Sequence, residues 1–307
     1  MTKPPTHISA STFDRLKAQA RVPGQDFNLT LTRFACERLL YRLSQSPHRD
    51  AFMLKGATLF IVWEDEPHRP TRDIDLLGFG EDSAERLRAV FADVCSQAVA
   101  DDGVVFSPES ISVSDIRVGQ AYQGKRIVVR GSLGRTRLQV QIDVGFGDAV
   151  AGKGEEVTLP TLLDFPAPRL RAYPVEAVIA EKLHAMAQHG MLNSRMKDIY
   201  DVQALSERLE FDGGRLCEAI RATFVRRGRD IDTRLPAALT GDFANDEAMR
   251  MKWAAFLRRS GLDGGDLPTA VAAARGFLAE PWSALALNLR FERHWPAGGP
   301  WQERLGS

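Results

Sequence analysis

Two neighbouring stretches decide how this chain is built: Leu54-Lys55-Gly56-Ala57-Thr58-Leu59-Phe60 and Arg72-Asp73-Ile74-Asp75-Leu76-Leu77-Gly78. Residues 51–54 are a short apolar run stopped by Lys55-Gly56, and a second apolar run fills 58–63. That order predicts a strand, a glycine turn and a helix. A charged, proline-containing loop over 64–72 follows, then a strand over 73–77 ended by Gly78-Phe79-Gly80. Residues i and i+2 of a strand point the same way, so Asp73 and Asp75 share a face, about 7 Å apart along the chain. Paired carboxylates repel unless water or a cation neutralises them, and a divalent ion with hard-oxygen ligands does so. A pair of solvated surface acids has the same spacing. The Gly56-Ala57-Thr58 turn exposes backbone N–H groups of a kind suited to phosphate oxygens, and an ordinary strand-to-helix turn looks the same.

Working outward, a helix is expected over 12–22, ending near Pro23-Gly24. Cys36, Leu39, Leu40 and Leu43 recur at i, i+3, i+4 and i+7, an amphipathic helix with its cap among Asn28, Thr30 and Thr32 and its end near Ser46-Pro47. Downstream, 82–98 reads as helix and 104–106, 111–117, 125–131 and 135–145 as strands. The last two form a hairpin about Ser132-Leu133-Gly134. In the final strand Leu138, Val140, Ile142 and Val144 alternate with Gln139, Gln141 and Asp143. Asp143 is then either an edge-strand acid facing water or, if its strand lies beside 73–77, a third carboxylate. Three acids would hold two Mg²⁺ ions for phosphoryl or nucleotidyl transfer.

Prolines 160, 166, 168 and 174 cluster and place a domain boundary near 165, giving units 1–165 and 166–307. The second is helical, over roughly 174–188, 195–209, 213–227, 245–260, 265–278 and 281–289, with a loose tail from Pro296. It carries Glu181-Lys182 and then Arg195-Met196-Lys197-Asp198-Ile199-Tyr200-Asp201, where Asp198 and Asp201 face alike at i, i+3 and Lys197 and Asp201 at i, i+4. Asp198 or Asp201 would orient Lys182 or Arg195; a salt-bridged, solvated helix pair has the same spacing.

Of 307 residues, 40 are Lys or Arg and 40 are Asp or Glu, so the chain is no polycation that coats nucleic acid or membrane, although a local basic groove remains open. Arg169, Arg171, Arg195, Lys197, Arg226-Arg227-Gly228-Arg229 and Arg258-Arg259 are the candidates for one. Three scattered cysteines without a CxxC pair argue against a disulfide framework or a cysteine zinc site and for a reducing cytoplasm. No stretch has the length and apolarity of a membrane span or signal peptide, so no membrane partner is expected.

The stretch from Leu54 through Trp63, with Arg69-Pro70-Thr71-Arg72-Asp73-Ile74-Asp75-Leu76-Leu77-Gly78, resembles the nucleotidyltransferase motif of the AbiEii/AbiGii toxin family. Glu181-Lys182-Leu183 with Arg195–Asp201 resembles its downstream motif, and Glu37-Arg38-Leu39-Leu40-Tyr41-Arg42-Leu43-Ser44 fits the preceding helix. The likeness spans about residues 25–210. One departure is that the Gly-Ser or Gly-Gly pair common in the wider DNA polymerase β-like superfamily is Gly56-Ala57-Thr58 here.

The resemblance implies an α/β (α+β) fold: a polymerase β-like mixed sheet with flanking helices, then a helical C-terminal domain contributing to the active-site cleft. It implies transfer of NMP from Mg-NTP to an acceptor hydroxyl, the 3′ end of tRNA foremost, by the toxin of a toxin–antitoxin or phage-defence system with a cognate antitoxin partner. Transfer to a protein or small-molecule hydroxyl, or a non-catalytic nucleotide-binding module, are the alternatives. Asp73, Asp75, Lys182 and Asp198 are the implied catalytic residues. Lys55, Gly56, Thr58, Arg72 and Lys182 would bind nucleotide. Asp73, Asp75 and Asp143 would hold a two-Mg²⁺ site, and Arg195, Lys197 and Asp201 would meet the acceptor.

Overall fold

The computed structural model describes residues 6–20, 26–64, 69, 71–118, 122–147 and 154–304. Expectations for Pro23-Gly24 and for 65–68 and 70 of the charged loop fall outside them. The chain divides into two compact units, the first holding 1–148 and 154–173 and the second 149–153 and 174–307.

The first unit opens with α1 (Thr6–Gln19) and α2 (Phe27–Gln45). Asp26 caps α2 by accepting the Asn28 N–H, two residues before the first cap candidate of the sequence pattern. Leu39, Leu40 and Leu43 are buried, as their spacing requires. Glu37, Arg38 and Arg42 are buried too, because partners reach them. Arg42 makes a two-pronged bond to Asp102 (2.8 and 3.1 Å) and donates to the Val104 carbonyl. Arg38 pairs with Glu37 at 2.9 Å and lies against the Tyr41 and Phe165 rings.

Strand β1 (Phe52–Lys55) runs into a 3₁₀ turn, Gly56–Leu59, and the single helical turn α3 (Phe60–Trp63). Then come β2 (Asp73–Gly78), α4 (Ala84–Ser96, capped by Ser83), β3 (Val104–Val118), β4 (Tyr122–Leu133), β5 (Thr136–Phe146), β6 (Glu155–Thr158) and β7 (Arg169–Ala172). The two segments expected at 104–106 and 111–117 are one strand with a register shift between Ser107 and Ser112. All seven strands form one mixed sheet in the order β3-β4-β5-β2-β1-β7-β6. The β2–β5 and β1–β7 pairs are parallel and the others antiparallel. The short strands β6 and β7 flank the proline cluster that reads from sequence as a linker. Their pairing, Glu155↔Ala172 to Thr158↔Arg169, keeps the prolines out of the ladder.

β2 and β5 are two-faced. Ile74 and Leu76, with Ile142 and Val144, are buried beneath the sheet, each contributing about 1.5–3 kcal/mol on burial. α2 packs on β5 and α4 on β3. The alternate residues, including Asp73, Asp75 and Asp143, stand on the opposite face, half-buried.

The second unit contains α5 (Val175–His189), α6 (Met196–Arg208), β8 (Phe211–Asp212), α7 (Gly213–Arg226), α8 (Gly241–Asn245), α9 (Glu247–Ser260), α10 (Leu267–Ala286), β9 (Arg293–Trp295) and β10 (Gln302–Glu303). The helices expected at 265–278 and 281–289 are the single helix α10, with Pro281 inside it. Phe277, Leu278 and Trp282 bury their side chains on both sides of that proline and hold the helix through it. The tail from Pro296 is packed to Glu303 rather than loose. Trp301 stacks on Phe277 and Trp295 meets it edge-on, and the two indoles donate to the Phe277 and Ser206 carbonyls respectively, each at 2.8 Å. No helix of the described residues is long and apolar enough to cross a membrane.

Candidate active site

The parallel pairing of β2 with β5 sets Asp75 directly beside Asp143, so both side chains emerge on one face with Asp73 one pleat away. The adjacency on which a third carboxylate depended is therefore present. Register extends the row in both directions, Lys55 on β1 opposite Asp75 and Arg126 on β4 opposite Asp143. Across four neighbouring strands the charges read plus, minus, minus, plus.

The turn at Gly56 closes this face from one side. Gly56 has φ +69°, and a Cβ there would stand 2.1 Å from Asp75 Oδ2 and 2.7 Å from its Cβ and Cγ. Only a glycine lets the backbone lie against that carboxylate. Thr58 is buried, and its hydroxyl donates to the Asp73 carbonyl at 3.4 Å, tying the turn to β2 instead of facing outward. Lys55 lies with its Nζ 5.6 Å from the centre of the Tyr173 ring, and Arg72 is exposed at the entry to β2.

Arg126 engages both oxygens of Asp143, Nε to Oδ1 at 2.8 Å and Nη2 to Oδ2 at 2.7 Å. The hydrogen bond to Asp143 raises the Arg126 pKa first, and the charges of Asp143, Asp73 and Asp75 add to it. Arg126 thus sits in the field of all three acids. Beneath them, burial and then the Asp73 charge push the Cys36 thiol up to about 12, and its Sγ lies 3.7 Å from the Arg72 carbonyl. It is a neutral packing group, not a nucleophile.

Hard-oxygen donors on adjacent strands, with a glycine where any Cβ would strike one of them, fit a divalent cation in donor type and in access. Among the described residues no three His, Cys, Asp or Glu side chains are gathered closely enough to ligate one.

Lys182 of α5, with Asp198 and Asp201 of α6, forms a cluster in the second unit. Lys182 Nζ is 2.5 Å from Asp201 and 3.3 Å from Asp198, and Arg195 Nε is 2.5 Å from the other Asp198 oxygen. Both aspartates are fully buried, so their charges require these partners. Lys197 is exposed and Asp201 is buried one turn on, on the same side of α6. Of the basic candidates, Arg169 pairs with Glu156 (2.7 Å), Arg171 lies over Phe79 and donates to the Asp50 carbonyl, and Arg229 donates to the Ala187 carbonyl.

Sequence reasoning missed Arg126. The signal was present: from the Leu133/Thr136 pair that closes the hairpin, seven residues back on each strand places Arg126 opposite Asp143.

Fold and charge layout define a class, an α/β protein with a carboxylate-bearing face on a mixed sheet beside a glycine turn. The family model of the nucleotidyl transferase AbiEii toxin, Type IV TA system, matches residues 38–279, and the chain belongs to that family. Two solved structures from Helicobacter pylori are similar. One, described as a nucleotidyltransferase, shares 14% identity over 83% of this chain and 94% of its own, with a TM-score of 0.46. The other, JHP933, shares 12% over 85% and 93%, also at 0.46. No curated protein matches the sequence.

Proposed function

We propose that this chain moves a nucleoside monophosphate from an NTP to an acceptor hydroxyl, the 3′ end of tRNA, as the toxin of a toxin–antitoxin pair acting in phage defence. The observation that carries the proposal is the Asp75 carboxylate lying against Gly56, on one face with Asp73 and Asp143. Asp73 and Asp75 would hold the divalent ions, with Asp143 as third ligand. Two Mg²⁺ ions there would neutralise triphosphate charge and ease deprotonation of the attacking hydroxyl.

The chain's own groups do the rest. Backbone at Gly56 presents a side-chain-free approach to the phosphates, and Lys55 and Arg72 add positive charge on the same unit. Thr58 keeps the turn fixed to β2. In the second unit Asp198 and Asp201 hold Lys182 in place, and Arg195, exposed beyond its bond to Asp198, and exposed Lys197 would meet an RNA backbone.

The test is incubation of the purified chain with each labelled NTP and Mg²⁺, separately with total tRNA, protein and small hydroxyl acceptors. Label is expected in tRNA, and D75N is expected to lower it roughly a hundredfold or more while unfolding at a temperature no lower than wild type. Label in protein or a small acceptor alone would move the assignment to that acceptor. A fully active D75N protein would remove the carboxylate face from the chemistry.

A further inference from the structure

Asp75 and Asp143 stand side by side at the ~4.8 Å spacing of paired strands, where two carboxylates repel. Arg126 relieves that repulsion on the β5 side. It reaches across the ladder from β4 and occupies both Asp143 oxygens with a planar fork. A carboxylate engaged at both oxygens has given one lone pair of each, and most of its charge, to the guanidinium. The pair is also not sealed in. The Arg126 side chain is 42% exposed, so the guanidinium can swing into water, while Asp143, at 19%, needs another countercharge when it does.

Building on the assignment of this face as the metal site, we propose that Arg126 is a positioning residue that latches Asp143 in the metal-free protein, and that a divalent cation gains its third carboxylate only by displacing it. Guanidinium and cation compete for the same oxygens. The fork offers two charge-assisted hydrogen bonds in a partly wet setting, a modest hold. A dication facing three carboxylates attracts more strongly, so the exchange runs forward when metal arrives and backward when it leaves. Removing Arg126 both frees Asp143 and sharpens the repulsion that a metal would relieve.

The experiment titrates the full chain with Mn²⁺ in the absence of nucleotide, reading free Mn²⁺ by electron paramagnetic resonance. R126Q is expected to bind Mn²⁺ roughly fivefold more tightly than wild type. The gain should vanish in R126Q/D143N, because the freed ligand is gone. R126K keeps the charge and loses the fork, so its affinity should fall between wild type and R126Q; it carries the test if R126Q fails to fold by circular dichroism. Unchanged or weaker binding in R126Q, or in R126K, overturns the latch, as does a gain that persists without Asp143. D73N and D75N report on the underlying assignment separately. Mn²⁺ binding that survives both, or no binding to wild type even with NTP present, fails the metal site itself. Binding that depends on Asp73 and Asp75 yet ignores Arg126 fails the latch alone.

Discussion

Gly56 is where the backbone must be bare. With φ at +69° and Asp75 Oδ2 at 2.1 Å from an added Cβ, Gly56→Ala has to strain the turn and push the carboxylate aside. The expected cost is about 2 kcal/mol in unfolding free energy, read by denaturant titration, together with loss of nucleotide transfer. A stable and fully active variant would show that the Asp75 position is immaterial. Cys36 gives a prediction about pH. Burial raises its thiol to about 12 in the folded chain, against about 8.5 in an unfolded one. A raised pKa means that stability present below the unfolded value is lost as pH climbs through the window between the two. Cys36→Ala removes that dependence, so its stability relative to wild type should improve steadily from about pH 8.5 towards pH 11 in parallel denaturant titrations. Parallel curves across that range would contradict the raised thiol.

At the scale of elements, alternation made much of the site legible. The pattern of β2 and of β5 assigns Asp73, Asp75 and Asp143 to polar faces without any coordinates, because strand period leaves one choice. What alternation does not carry is who stands opposite, and Arg126 therefore went unseen until register joined β4 to β5. Helix α2 hid more. Nothing in the helix sequence marks Glu37, Arg38 and Arg42 as buried, since it does not show a partner 60 residues on. The proline cluster concealed β6 and β7, whose pairing depends on ends brought together by the fold, and Pro281 split a helix that buried aromatics keep whole. The α2 clasp is testable. Asp102 is buried with Arg42 and also accepts the Val104 N–H at 3.0 Å. Asp102→Asn leaves a buried guanidinium without its countercharge and should cost about 3–5 kcal/mol in unfolding free energy by denaturant titration. Arg42→Met in the same chain should recover part of that loss, because it removes the orphaned charge. A loss under 1 kcal/mol, on the order of an exposed pair, would mean that water reaches the site.

Over the whole molecule the charges cancel, 40 against 40, yet they do not cancel everywhere. In the second unit Lys182 and Arg195 meet Asp198 and Asp201 within hydrogen-bonding distance, a balanced set. On the first unit's sheet three carboxylates share one face, with Lys55 and Arg126 on the flanking strands. Like charges on one face repel, and a bound dication would relieve that repulsion. Two opposite effects of one substitution follow. Without ligand, Asp75→Asn should unfold at the same temperature as wild type or higher, since a repulsive charge is gone. With Mg²⁺ and NTP, wild type alone should gain, by about 2.7 kcal/mol at a hundredfold excess over its dissociation constant, because only the folded face binds. Scanning calorimetry with and without Mg-NTP reads both. An Asp75→Asn protein that is destabilised when empty would mean that Asp75 is held by favourable contacts on the sheet. One that gains as much as wild type from Mg-NTP would place the nucleotide away from β2.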